Sequence, residues 1–343
     1  MLFYLQNIAR QLGKTVDISK ARKSNPCPLI DPSRLLDPLL GSPAFLYVGV
    51  AKGGSTSLSE YLPFHPQVAP VRVKEANFFS FPWLFQMTPD RYSSMFPSPT
   101  SEWDVPSGHQ FKGRLGGEYS TSYLQHPTAP RYIAAALPQA RILMFLRNPI
   151  DRAYSHFVMQ RRAGLESLSF EEVIQREMED LPVLLDLFRH CYNGDKCDLT
   201  VCLKEGFEVL HHRAGATKWT IESGKDLKQY MFTSYLARSL YDDQVERYLA
   251  LFPREQIFVV DSTDFYRNTS SVLDQITDFL RIERFNFTST GILDHSWGGG
   301  ASNSHKPQDY TPLNPHTRQL LHKFFEPFNR RLFTLLGRDF GWH

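Results

Sequence analysis

The chain has 343 residues, is 42% hydrophobic, and carries 38 basic against 36 acidic side chains for a net charge of +2. That length buries a full core and fits one large α/β domain with insertions, while the near-neutral balance excludes a global field for nucleic acid but not a local basic cleft for a polyanion. The longest apolar runs, such as Ile142-Leu143-Met144-Phe145-Leu146, fall far short of the roughly 20 residues a spanning helix needs, so no transmembrane segment is expected in this chain.

Met1 to Gln6 is too short, and too soon interrupted by Asn7, Arg10 and Gln11, to read as a signal sequence. Residues 1–40 carry Pro26, Pro28, Pro32 and Pro38 without sustained periodicity, which predicts an N-terminal extension ahead of a single domain over 41–343. An apolar strand from Phe45 runs into Lys52-Gly53-Gly54-Ser55-Thr56-Ser57, followed by a short helix over 58–62 that Pro63 and Pro66 stop. The aromatic and proline-rich stretch 78–106 reads as a long irregular connection. Residues 141–147 form a second strand of the kind buried on both faces, and Asn148-Pro149 breaks it and opens a helix. Further helices are predicted over 169–190, 230–251, 269–280 and 315–336, with a strand over 256–260 and a Gly-rich segment from Trp297 to Ala301. Strands alternating with helices predict an α/β fold, a parallel sheet flanked by helices.

Cys27, Cys191, Cys197 and Cys202 place three cysteines in one twelve-residue loop, inside an insertion around 185–230. That clustering favours a disulfide; the zinc alternative would recruit His190, His211 or His212 at an unfamiliar ligand spacing. The sequons at Asn268 and Asn286 agree with a secretory route.

The chemistry concentrates in the first loop. Backbone N–H groups at a helix start are unpaired, glycines admit an anion close to them, and Lys52 with Ser55, Thr56 and Ser57 adds charge and hydroxyl donors. Lysine precedes the glycines here, the reverse of the nucleotide-triphosphate loop. A second basic residue at a strand end, Arg147, is followed on the next helix by Arg152 and Ser155, so that arginine and hydroxyl could face one phosphate. Arg147 read alone could instead be a strand-end ion pair, and Arg152 could pair with Asp151.

These two motifs resemble the 5′-phosphosulfate loop and the 3′-phosphate motif of sulfotransferases that use 3′-phosphoadenosine 5′-phosphosulfate (PAPS). Lys74-Glu75-Ala76-Asn77-Phe78-Phe79 and later segments extend the resemblance to the carbohydrate sulfotransferases over about residues 42–340. The resemblance implies a P-loop-like sulfotransferase fold, no metal, a Golgi lumen location, and transfer to a hydroxyl of a carbohydrate, a glycosaminoglycan such as chondroitin or dermatan sulfate. It implies Glu75 as general base, with Lys52 bridging the transferring group. Gly53, Gly54, Ser55, Thr56, Ser57, Arg147, Ser155, Gly299 and Gly300 would hold PAPS, and Lys74, Asn77 and Arg152 the acceptor. Thr56-Ser57 stands where heparan 3-O enzymes carry threonine and arginine, Asn77 where histidine is common, and Ser80 where aspartate often appears. Those departures weigh against a heparan acceptor, while Lys74-Glu75, Gly117-Glu118-Tyr119-Ser120 and the cysteine-bearing insertion lean toward the GalNAc 4-sulfate 6-O-sulfotransferase type. A catalytically silent nucleotide- or glycan-binding module on the same fold is the alternative from another class, and a P-loop kinase is the third.

Overall fold

A computed structural model describes residues 41–80, 88–97, 114–193, 234–293 and 311–342. Within them the chain packs as two compact units, divided after Arg152 and after Leu240. Cys27, Cys197, Cys202, Gly299 and Gly300 lie outside the described residues, as does the side chain of Cys191.

The larger unit is built on a four-stranded parallel sheet of order β2-β1-β3-β4, with β1 Phe45–Gly49, β2 Gly117–Tyr119, β3 Arg141–Leu146 and β4 Ile257–Asp261. Tyr47 is in register with Tyr119 on one side and Leu143 on the other, and Leu143 with Phe258. Side chains alternate across a strand, so each strand supplies two cores. Leu46, Val48, Ile142, Met144 and Leu146 pack with Tyr241, Val245, Tyr248, Leu332 and Trp342 on one face. Phe45, Tyr47, Leu143 and Phe145 pack with Leu58, Tyr61, Phe265, Leu273 and Ile276 on the other. Each such burial contributes about 1.5–3 kcal/mol, which is why the central strands are continuous apolar runs.

The helices of this unit are α1 Ser55–Tyr61, α2 Pro89–Ser93 and α3 Ala129–Ala136, then the first turn of α4 Pro149–Arg162. In the smaller unit α4 continues and is followed by α5 Phe170–Asn193. Back in the larger unit come α6 Tyr241–Leu249, α7 Ser262–Arg267, α8 Thr269–Leu280 and α9 Pro315–Leu336. α9 has the bounds expected from sequence: the Asn314 side chain accepts from His316 N at 2.9 Å, Pro315 opens the first turn, and Gly337 closes the helix at φ 63°. The predicted irregular stretch contains α2, whose Tyr92 stacks on Phe78 at 4.3 Å and meets Phe79 edge-on. β2, α3 and α7 have no counterpart among the elements read from sequence.

In the smaller unit, Ser169 and Glu172 form a reciprocal capping box at the start of α5, with Ser169 N donating to Glu172 Oε2 at 2.8 Å and Glu172 N to Ser169 Oγ at 3.3 Å. Tyr154, Phe157, Phe170 and Tyr235 form an aromatic cluster beside it. The expectation of one helix over 230–251 is corrected here. Its described part is a 3-10 turn, Ala237–Ser239, and the separate helix α6. The N–H groups of Tyr235, Leu236 and Ala237 all donate to the buried Glu177 carboxylate at 2.8 Å, where a continuous helix would send them to carbonyls four residues back.

Candidate active site

The site forms at the carboxyl ends of β1, β2 and β3, where parallel α/β sheets open their crevices. β1 ends at Gly49, and the chain turns through Lys52 at φ 73° and Gly54 at φ 113° into α1. Gly53 is packed so closely that a Cβ there would lie 2.6 Å from the Phe145 carbonyl oxygen and 2.9 Å from the Tyr47 hydroxyl. Tyr47 donates to Val50 O at 3.1 Å, Ser262 Oγ reaches Gly53 O at 2.7 Å, and Arg147 Nη1 donates to Lys52 O at 3.1 Å. The loop is therefore held from beneath by β1, β3 and α7, with Ser55 and Ser57 buried and Thr56 half-buried in the first turn of α1. That turn directs N–H groups without intrahelical partners into the crevice.

The Lys74–Asn77 turn lies beside this loop. Lys74 Nζ donates to Thr56 Oγ1 at 3.0 Å and stands 3.7 Å from Glu75 Oε1. Glu75 Oε2 accepts from Thr121 N at 2.9 Å and from Thr121 Oγ1 at 3.2 Å. Glu75 N donates to Tyr119 O at 2.9 Å, which ties the turn to the end of β2. Glu75 and Asn77 both have left-handed backbones, at φ 57° and 53°. Together with Lys52 they make three of the four non-glycine residues with positive φ among the described residues, the fourth being Arg281. Such conformations cost of order 1 kcal/mol each and mark positions where side-chain direction matters more than local comfort.

Arg147 is half-buried at the end of β3, and its carbonyl accepts from Tyr241 Oη at 2.9 Å. Asn148 caps α4 through Ile150 N at 3.0 Å. Ser155 is a buried residue of α4 that belongs to the smaller unit. Two positions assigned to the acceptor are enclosed instead. Arg152 is 0% exposed and Asn77 3%, and the Asn77 amide is committed to its own turn, accepting from Ser122 Oγ at 2.5 Å and donating to Glu75 O at 2.7 Å.

Three contributors escape sequence reading. Thr121 follows β2 and holds Glu75, Ser262 opens α7 beneath the loop, and Tyr266 on α7 brings its hydroxyl to 3.4 Å from where a Gly54 Cβ would sit. Burial pushes the Tyr266 phenol up, opposed by the charge of Arg147 and a hydrogen bond with Ser57, which marks its place between both motifs. A hydroxyl residue after a strand is too common a pattern to have singled these out.

Comparison with known proteins bears on the same span. Residues 42–296 match the sulfotransferase domain model. A membrane-associated sulfotransferase of Dictyostelium discoideum is 26% identical over 89% of this chain and 67% of its own length. A bifunctional heparan sulfate N-deacetylase/N-sulfotransferase 2 of Bos taurus is 27% identical over 86% of this chain, which spans only 30% of that protein. The human heparan sulfate glucosamine 3-O-sulfotransferase 6 is 24% identical over 88% of this chain and 73% of its own length. Among solved structures, a sulfotransferase from Alicyclobacillus acidocaldarius superposes with a TM-score of 0.59 at 27% identity, covering 88% of this chain and 99% of that one. The matched residues carry both the Lys52 loop and Arg147 on a parallel sheet, and on that ground this chain belongs to the sulfotransferase domain family and is a sulfuryl-transferring enzyme.

Proposed function

We propose that the protein transfers the sulfuryl group of PAPS to a hydroxyl of a carbohydrate, a glycosaminoglycan, with Glu75 as the general base. The observation that carries this reading is the Lys74 ammonium, which bridges Thr56 on the glycine loop and the Glu75 carboxylate. It joins an anion cradle to a proton acceptor within one ångström-scale cluster, which is what transfer between a phosphate-linked donor and an alcohol requires.

The residues fit the donor. Gly53 and Gly54 let the loop seat directly on its support, and the amides of the first turn of α1 suit an anion. Lys52 with Ser55, Thr56 and Ser57 takes the 5′ side, and Arg147 takes the 3′-phosphate; Ser155 is assigned to that phosphate by the sequence motif alone. Bound PAPS supplies the sulfuryl group and a phosphate leaving group. Glu75 accepts the proton of the acceptor hydroxyl, held toward it by Thr121, while Lys52 supplies positive charge where negative charge builds up on the leaving side. Gly299 and Gly300 remain assigned to the donor by sequence alone.

Two acceptors stand in competition. Heparan chains are favoured by the names of the relatives, and chondroitin or dermatan chains by the resemblance carried by Lys74-Glu75, Gly117-Glu118-Tyr119-Ser120 and the cysteine-bearing insertion. A secretory-pathway location, the Golgi lumen, is supported by sequon residues Asn268 and Asn286, both exposed.

Labelled PAPS incubated with heparosan, N-desulfated heparan, chondroitin and dermatan chains tests the reading, with Glu75→Gln and Lys52→Ala in parallel. Transfer to one of these chains, reduced about 100-fold or more in Glu75→Gln, is the expected result. Tight binding of 3′-phosphoadenosine 5′-phosphate with no transfer to any chain would instead identify a silent module.

A further inference from the structure

Behind the Glu75 turn lies a second carboxyl that the proposed chemistry does not use. Glu118, the central residue of β2, is 1% exposed. Its Oε1 accepts a hydrogen bond from Ser120 Oγ, and the Tyr92 and Tyr123 phenols lie within hydrogen-bonding reach of the carboxyl. The phenols of Tyr92, Tyr123 and Tyr248 and the carboxylate of Glu75 are the titratable groups that feel it. A charged carboxylate there is fully desolvated. Burial accordingly pushes Glu118 up to about 8, with the Ser120, Tyr123 and Tyr92 hydrogen bonds opposing and the Glu75 charge adding.

The Ser120 hydroxyl connects this acid to the turn. It donates to Glu118 and accepts from the Asn77 N–H at 2.9 Å, so both its proton and a lone pair are committed. Asn77 in turn holds the Glu75 carbonyl through Nδ2 at 2.7 Å and is braced by Ser122, which meets Ser80 Oγ at 2.8 Å. A buried hydrogen-bonded chain therefore runs from Glu118 through Ser120 and Asn77 to the backbone of Glu75. It supplies the contacts that a pair of left-handed non-glycine residues needs in order to persist.

We propose that Glu118 is a positioning residue for Glu75: acting through the Ser120 hydroxyl and the Asn77 amide, its carboxyl holds the Glu75–Asn77 turn in the geometry that presents the Glu75 carboxylate to the acceptor. This rests on the reading of Glu75 as the base. Ionisation of Glu118 sets a second negative charge beside Glu75 in a dry setting, so the turn is held best while Glu118 is neutral.

The test compares wild type with Glu118→Ala, Glu118→Gln, Ser120→Ala and Glu75→Gln, using labelled PAPS with heparosan and chondroitin as acceptors. Calorimetric binding of 3′-phosphoadenosine 5′-phosphate gives a readout independent of turnover. Glu118→Ala and Ser120→Ala are expected to lower kcat about tenfold or more, with affinity for that nucleotide within about twofold of wild type. Glu118→Gln, neutral and of the same shape, is expected to recover most of the loss predicted for Glu118→Ala and to lack the fall in kcat expected of wild type above a pH of about 8. Should Glu118→Ala not fold, Ser120→Ala decides the matter alone. Wild-type kcat in Ser120→Ala, or nucleotide affinity falling in step with kcat, would overturn the proposal. Glu75→Gln separates the two readings: its inactivity beside fully active Glu118 and Ser120 variants sinks the positioning role only, whereas full turnover by Glu75→Gln sinks the base and the positioning role with it.

Discussion

The Thr121 main-chain N–H donates to Oε2 of Glu75 at 2.9 Å, and the Thr121 hydroxyl reaches the same oxygen at 3.2 Å. With Lys74 3.7 Å from Oε1, both oxygens of the carboxylate have a defined neighbour. Thr121→Ala keeps the amide and loses the hydroxyl, so the carboxylate gains rotational freedom. A fall in kcat of about three- to tenfold, with the donor KM unchanged and recovery in Thr121→Ser, is expected from initial-rate kinetics. Equal loss in the serine and alanine variants would show that the hydroxyl does not orient Glu75.

Gly53 decides how closely the loop seats on the sheet beneath it. Alanine there would bring its Cβ to 2.6 Å from the backbone oxygen of Phe145, and a central strand cannot shift to make room. Gly53→Ala should destabilise the protein by about 1–3 kcal/mol and displace the loop, weakening binding of 3′-phosphoadenosine 5′-phosphate. Thermal melting and calorimetry together check this. An unchanged dissociation constant would mean that the loop does not form the nucleotide site.

Glu118 also predicts how stability varies with pH. Its ordinary value is 4.5 and its folded value about 8, so between these the folded state holds a proton that the unfolded chain has released. Its stabilising contribution is full below about 4.5, is lost as pH rises through about 8, and is constant beyond. The loss is on the order of 5 kcal/mol at most. Denaturant unfolding at three pH values across this window should show the Glu118→Gln variant losing less stability than wild type, and parallel curves would count against a neutral native Glu118.

Arg331 on α9 holds two acidic residues of α6 that differ sharply in burial. Asp242 meets its Nη1 at 2.8 Å with a side chain 1% exposed, while Glu246 meets Nη2 with a side chain 49% exposed. Burial pushes Asp242 up and Arg331 opposes it, so Arg331→Ala strands a carboxylate in the core, at about 3 kcal/mol or more. Glu246→Ala should cost less than about 1 kcal/mol. Equal denaturation midpoints for these two variants would contradict the assignment.

Legibility followed burial. β1, β3 and β4 are continuous apolar runs because parallel strands are covered on both faces, and α9 announces itself through Asn314, Pro315 and Gly337. β2 is three residues long with a buried glutamate at its centre, a pattern that reads as a loop until the sheet pairs it with β1. The helix expected over 230–251 failed for a similar reason: Glu177 lies far away in sequence, yet it takes the N–H groups that helix propensity alone would have kept within the segment.

The glycine loop was legible in the chain alone, because a strand end, a lysine, two glycines and three hydroxyl residues are contiguous and their chemistry is local. The sequence also singled out Glu75 and Arg147, through a resemblance carried by short motifs. Only the tertiary structure decided that Lys74 bridges Thr56 and Glu75, that Thr121 and Glu118 stand behind the carboxylate, and that Asn77 and Arg152 are enclosed. These contacts join segments brought together by the pairing of β2 with β1, and hydrogen bonds across such distances in sequence leave no periodicity or spacing to read.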